Sequence, residues 1–151
     1  MRPVNDELLV LEKFSFVIPI SVRFSDVDGM GHVNNAVYAT YFEIGRTVWF
    51  ERVLGRRSME EVDFILARLE IDFLAPVNLE DEVLLGLKVS TIGKTSWGFE
   101  YLLTKNGGAA ARGKSVQVFF DYGKGIKKPI PEGFEEAIEK LGLGGSSRPH
   151  L

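Results

Sequence analysis

The chain has 151 residues, 45% hydrophobic and 26% charged, with a formal net charge of −3. That length builds one domain with a real core, and the charge supplies no basic stripe for a general nucleic-acid binder. Cysteine is absent, which excludes disulfides, thiolate catalysis and cysteine-ligated metal sites. His32 and His150 show no metal-ligand spacing. The opening "MRPVNDELLVLEKF" carries early acids and no long apolar core, so it does not read as a signal peptide. No run approaches the ~20 apolar residues of a membrane span. The cytoplasm follows as the expected compartment, with no membrane and no nucleic acid as partner.

In chain order, Phe14 to Phe24 come first. Phe16, Ile18, Ile20, Val22 and Phe24 alternate onto one face, a strand period. Pro19 lies on the other face and lacks a donor, so this strand belongs at an edge or a bulge. From Ala36 to Leu54 the period changes. Tyr38, Tyr41, Phe42, Gly45, Val48 and Trp49 recur at three and four residues, a helical stripe. Ile44 and Phe50 lie off it, so the helix is apolar over much of its girth and is expected to be wrapped. Gly55 suits its C-terminal cap, and Arg56 and Arg57 suit the negative end of its dipole.

"SMEE", Ser58 to Glu61, has the form of a capping box. Four strand-like runs follow: Phe64 to Phe73, Glu82 to Ile92, Ser96 to Thr104 and Ala109 to Tyr122. In the first, Ile65, Ala67, Leu69, Ile71 and Phe73 share a face. Asn106-Gly107 is a hairpin signal. A short helix from Pro131 to Leu141 has Phe134, Ile138 and Leu141 as its stripe. Residues 1–141 form one domain and 142–151 read as a disordered tail. The order β-α-β-β-β-β, in which the later strands can form a meander, predicts an α+β fold: an antiparallel five-stranded sheet around a long central helix.

The stretch "DVDGMGHVNNAVYATYFE", Asp26 to Glu43, concentrates polar and flexible residues before that helix. Asn34 and Asn35 suit an N-cap, and the next backbone N–H groups lack intrahelical partners. Such donors hold a developing oxyanion. Gly29 and Gly31 permit a tight loop, and Asp28 lies seven residues before Asn35 across it. A carboxylate facing a bank of N–H donors suits attack on a carbonyl, by direct attack or by activating water. Asx-Gly loops with asparagine caps also occur in proteins that do no chemistry. Asp26 reads as a structural or solvated acid rather than a second catalyst. His32 reads equally as a general acid and as a loop hydrogen-bonder.

"VRFSDVDGMGHVNNAVYATYFEIGR" resembles the 4-hydroxybenzoyl-CoA thioesterase-like branch of the hotdog-fold acyl-CoA thioesterases. The pattern is aromatic-x-D-x-D-x-x-G-H-V-N-N-x-x-Y, then a Y-F-E-x-x-R helix. "ARLEIDFLAPVNLEDEV" and "IGKTSWGFEYLL" match as well, so the resemblance runs from Phe16 to Tyr122. It implies the hotdog fold and hydrolysis of an acyl-CoA thioester with no metal or organic cofactor. It puts the catalytic carboxylate at Asp28 and the oxyanion donor in the backbone from Asn34 to Ala36, at Asn35 or a near neighbour. It implies homodimers joined edge to edge, often paired into homotetramers, with active sites at the dimer interface. Some family members carry the carboxylate on the helix instead, which keeps Glu43 as a candidate to orient water. The fold also serves non-catalytic acyl-binding modules, and acyl carrier protein presents the same thioester arm as CoA.

For the CoA phosphates, Arg68 and Lys94 are the candidate cations, with Thr95 and Ser96 as hydrogen-bond donors. The same "GKTS" segment also reads as a plain hairpin turn. Tyr38 and its aromatic neighbours Tyr41, Phe42 and Trp49 are the candidates to line the acyl pocket.

Overall fold

The computed structural model describes residues 11–56 and 63–143. The Ser58–Glu61 capping box, Arg57 and the tail from residue 144 lie outside the described residues. Five long strands, β1 (Phe16–Ile20), β2 (Phe64–Phe73), β3 (Val83–Ile92), β4 (Ser96–Lys105) and β5 (Gly108–Asp121), form one antiparallel sheet. A two-residue β6 (Ile126–Lys127) pairs with β5. The helices are α1 (Asn35–Leu54) and α2 (Phe134–Leu143). The spatial order is β1-β3-β4-β5-β2. Only β3, β4 and β5 form the expected meander. The segment 74–82 carries the chain across, so that β2 lies beyond β5.

The inner face follows from period two in each strand. Ile18, Leu85, Leu103 and Ala111 lie in one row across four strands, and Phe16, Leu87, Tyr101 and Gly113 in the next. Helix α1 rests on this face through Tyr38, Tyr41, Phe42, Gly45, Arg46, Trp49 and Phe50. Two glycines allow the close approach. A Cβ on Gly45 would lie 2.6 Å from Leu85 Cδ2. One on Gly113 would overlap the Phe42 ring and sit 2.7 Å from the Glu70 carbonyl oxygen. Phe42 stacks on Tyr101 with ring centroids 4.3 Å apart.

The expected caps are present. Asn34 accepts from the Ala36 N–H, and Gly55 closes the helix at φ 69°. Asn106 and Gly107 both take positive φ at the β4–β5 turn, as a two-residue hairpin requires. Pro19 sits on an edge strand and is exposed.

Three of these expectations are corrected. Strand β1 stops at Ile20, and Phe24 is 83% exposed. Residues Phe24–Asp26 form a 3-10 turn closed by Asp26 N–H to Arg23 O at 2.9 Å, which ends the alternation. In β2 a bulge between Leu66 and Arg68 shifts the parity, so Ile65 is exposed while Phe64, Leu69 and Ile71 pack on the core. Helix α2 begins at Phe134 rather than Pro131, after Gly133 at φ 85°. Phe134, Ile138 and Leu141 do pack on the core. The curled sheet carries α1 on its inner face, as expected. One sheet covers one face, and Thr40, Glu43, Ile44 and Thr47 remain exposed.

Gly113→Ala should lower stability by about 1–3 kcal/mol, the usual cost of overpacking. The Glu70 backbone cannot yield as a side-chain tip can. Urea unfolding that matches wild type would refute this close-approach account.

Candidate functional site

The segment between β1 and α1 is tied down at Asp26. Its side chain is 1% exposed. It accepts from the Arg23 N–H at 2.9 Å, from the Arg23 guanidinium at 2.9 and 3.2 Å, and from the Tyr41 hydroxyl at 2.8 Å. Burial pushes this carboxyl up. The hydrogen bonds from Arg23 and Tyr41, with the charge of Arg23, outweigh burial and hold it below its usual range. On the other partner, burial and then the bond to Asp26 push the Tyr41 phenol up. Asp26 is therefore a structural carboxylate, as its sequence context indicated.

From this anchor the loop turns back. The Asn34 N–H donates to the Asp26 carbonyl at 2.9 Å, and the Asp28 N–H donates to the His32 carbonyl at 2.8 Å. Asp28 Oδ1 accepts from the N–H groups of Met30 at 2.9 Å and His32 at 3.2 Å. Asp28 Oδ2 takes no hydrogen bond among the described residues. Gly31 at φ 81° makes the turn possible. The loop is stitched to segment 74–82 by Val33 N–H to Val77 O at 2.8 Å and by the bridge of His32 with Asn78.

Three N–H groups span the start of α1. Asn34 donates to Asp26, and Ala36 donates to the Asn34 side chain at 3.0 Å. The Asn35 N–H, first in the helix, has no acceptor among the described residues. The expected range of Asn34 to Ala36 thus narrows to one free donor.

A cleft of about 290 Å³ brings together Asp28, His32, Asn35 and Tyr38 with Val33 and Phe73 to Pro76. Four of the expected site residues share it. The Tyr38 ring meets Phe73 edge on at 5.0 Å. No polar motif marks Phe73 or the turn after β2 as lining a site. Their signal was the match of "ARLEIDFLAPVNLEDEV", which marks the segment without saying that it turns into the cleft.

The other expected residues lie elsewhere in this chain. Asn34 spends its side-chain oxygen on the helix cap. Glu43 is on the exposed face of α1 and does not line the cleft. Arg68 pairs with Glu70 on the outer sheet face. Lys94, Thr95 and Ser96 form the β3–β4 turn, at the opposite end of β3 and β4 from the Asn78–Glu82 segment that touches the Asp28 loop. Ten-residue strands put the two ends about 30 Å apart. The separation arises because sequence motifs carry no register.

Curled sheet, resting helix and acid loop at the helix start together define a hotdog protein with the geometry of a thioester hydrolase. The chain belongs to the thioesterase-like superfamily, which matches residues 22–138. A thioesterase of Thermus thermophilus, solved complexed with coenzyme A and Zn, is 38% identical, with a TM-score of 0.76. The match covers 86% of this chain and 96% of that one. YsmA of Bacillus subtilis (strain 168) is 33% identical over 89 residues, 59% of this chain and 60% of that protein's length. The acyl-CoA thioesterase YbgC of Haemophilus influenzae is 24% identical over 130 residues, 83% of this chain and 96% of that one. The resemblance read from the loop motif is borne out.

Tyr41→Phe should destabilise the fold by about 1–3 kcal/mol, because it removes a donor from a buried carboxylate. The acid limb has a fixed sign. A carboxyl held below its ordinary 3.8 contributes stability above that pH and loses it as pH falls toward the folded value. Thermal melts from pH 6 to pH 2 should therefore show a flatter acid limb in Asp26→Asn than in wild type. An unchanged limb would remove Asp26 from this role.

Proposed function

We propose that the chain hydrolyses acyl-CoA thioesters to free acid and CoA in the cleft formed by Asp28, His32, Asn35 and Tyr38. The observation that carries the reading is the pairing of one free carboxylate oxygen with one free N–H at the same cleft. Asp28 Oδ1 is held by the loop and Oδ2 is open. The thioester carbonyl oxygen accepts from the Asn35 N–H at the positive end of α1, where charge develops as the carbonyl carbon becomes tetrahedral. Asp28 Oδ2 attacks that carbon, or takes a proton from the water that does. CoA thiolate leaves. If Asp28 is the nucleophile, water then cleaves the mixed anhydride. His32 lines the cleft, and in this reading its imidazole delivers the proton to the sulfur. Tyr38 and Phe73 face the acyl group. Burial pushes the Tyr38 phenol up, so it stays neutral there.

The unit of function in this reading is a homodimer, with a pair of dimers as the larger assembly. Strand β2 is an edge of ten residues with Ile65, Leu66 and Phe73 exposed. A long open edge with apolar side chains invites a second strand. Antiparallel pairing of two β2 strands about a twofold axis sets Phe73 of one chain against Phe64 of the other. Ser96, Val118 and Ile65 are aligned across β4, β5 and β2. The partner's Lys94–Ser96 turn is then brought toward the Asp28 cleft, which places the expected CoA contacts in trans. The described helices include none long and apolar enough to cross a membrane, and a CoA ester as substrate points to the cytoplasm.

Asp28→Asn should lower kcat/KM by a factor of about 10² to 10⁴ while the variant folds and assembles normally. Asp26→Asn and Glu43→Gln should keep far more activity. A free-thiol assay over aromatic and aliphatic acyl-CoAs reads this directly. Near wild-type turnover by Asp28→Asn, with loss in Glu43→Gln, would reassign the carboxylate. Light scattering at micromolar concentration should give at least twice the chain mass, and a monomer would refute the shared site.

A further inference from the structure

The segment between β2 and β3 forms one wall of the cleft, and the β4–β5 hairpin holds both of its ends. At its start the Leu74 and Ala75 N–H groups donate to the Ala110 carbonyl at 2.8 and 3.1 Å. At its end Asp81 and Asn106 close a ring of polar contacts. Asp81 Oδ2 accepts the Asn78 N–H at 2.8 Å, and Asp81 Oδ1 accepts from Asn106 Nδ2 at 2.8 Å. Asn106 Oδ1 accepts the Glu82 N–H at 2.8 Å, and the Asn106 N–H donates to the Glu82 carbonyl at 2.8 Å. Lys105 adds an ion pair with Asp81 at 3.9 Å. The Asn78 N–H outweighs burial and, with Asn106 and the charge of Lys105, holds the Asp81 carboxyl below its usual range. Neither Asp81 nor Asn106 lines the cleft. Val77 and Asn78, between the two ends, meet residues that do. The Val77 carbonyl accepts the Val33 N–H at 2.8 Å, and Asn78 bridges to His32. The Val77 backbone also lies against the Tyr38 phenol, which feels the charge of Asp81. Asn78, Leu79 and Glu80 are exposed, so apolar packing does little to fix this stretch.

We propose that Asp81 and Asn106 are positioning residues for the cleft: they clamp the Val77–Asn78 backbone against the acid loop and so set His32 and Tyr38 relative to Asp28 and the Asn35 N–H. The inference rests on the thioesterase reading. The acid loop is anchored on one side by Asp26, and on the other it meets Val77 and Asn78. The clamp makes a specific demand at each position. Residue 81 faces two donors, the Asn78 N–H and the Asn106 amide, and a carboxylate offers both acceptors where a carboxamide offers one. Residue 106 must accept from Glu82, donate to Asp81 and hold a φ of 48°, which asparagine tolerates. The hairpin turn alone would be served by glycine. A misplacement of about 1 Å beside reacting atoms costs up to roughly 10²-fold in rate, so a clamp outside the cleft reaches the chemistry through position alone.

The test uses the full-length chain, well below the melting temperature of every variant, and reads amide hydrogen exchange beside kinetics. N106G keeps the positive-φ turn and removes the amide, and D81N removes one of the two acceptors. Each should lower kcat for an acyl-CoA by roughly tenfold to a hundredfold, with KM moved less than about twofold. Exchange of the Val33 amide should quicken by roughly tenfold or more, while the amides of central strand β4 keep their protection. The swap D81N/N106D moves the carboxylate across the same pair. The amide at position 81 then accepts from Asn78 and donates to the carboxylate at position 106, which still accepts from Glu82. It should recover most of kcat and of the Val33 protection. A pair that only stabilises the fold would lower Tm and leave kcat unchanged. That result in N106G would overturn the proposal, as would a loss of kcat without faster Val33 exchange, or a folded swap that recovers neither readout. If the swap does not fold, N106G and D81N decide by the same two readouts. Wild-type chains that turn over no thioester would refute the catalytic reading, and Val33 exchange in N106G would still decide whether the clamp holds the cleft wall.

Discussion

The geometry of the cleft depends on one buried carboxylate. Asp26 is out of water, and a charge there is tolerable only because donors surround it. Three come from Arg23, at the end of the segment leaving β1, and one from Tyr41, on the second turn of α1. The Asp26 carbonyl also receives the Asn34 N–H. One residue thereby fixes the entry of the loop, its exit and the helix that follows. Asp28 has only two residues of freedom from this anchor. Asp28 and the Asn35 N–H gain their mutual position from a buried side chain outside the cleft.

The anchor would be useless if α1 could slide on the sheet. Gly45 and Gly113 let the helix down to a distance at which Phe42 lies flat on Tyr101. Arg46, one turn on, is buried and donates to the Tyr101 hydroxyl at 3.1 Å. That hydroxyl lies 2.5 Å from Ser115 Oγ, and Ser115 bonds Gln117, whose amide reaches the Trp97 carbonyl. A polar chain this deep is satisfied only in one arrangement of helix and strands. Apolar packing alone would tolerate several. The start of α1, and with it the Asn35 N–H, is set to the sheet by contacts two and three turns away.

Local chemistry was legible in the sequence and register was not. Asn34, Gly55 and the Asn106-Gly107 pair each act through their own backbone, so each declares its turn or cap without reference to the rest of the chain. The Asp28 loop is of the same kind. The β2 bulge is different. Whether Ile65 or Phe64 faces inward depends on how β2 pairs with β5, Phe64 opposite Phe119 and Ile65 opposite Val118, and a run of alternating apolar residues fits either parity. Phe24 misled for a related reason. Alternation continued through it, while the Arg23–Asp26 contact had already bent the chain. Phe73 and Pro76 entered the cleft because the order of strands, invisible locally, placed the end of β2 beside Tyr38. The Lys94 turn matched its family segment yet stands at the far end of the same chain, because a motif match carries no strand register.

The cleft also shows where local satisfaction stops. On either side of Asn35 the backbone N–H groups have found acceptors, one in the Asp26 carbonyl and one in the Asn34 side chain. Of the two Asp28 oxygens, one is fully engaged by the loop. A chain optimised for stability alone would close the remaining donor and the remaining acceptor on each other or on a neighbouring side chain. Asp28 and Asn35 instead both line the cleft that Tyr38 and Phe73 also line. Both are exposed, so water can take up the open donor and acceptor until a ligand replaces it. Groups of opposite demand, held apart by a rigid loop, are what a carbonyl under attack requires: something to receive its oxygen and something to approach its carbon.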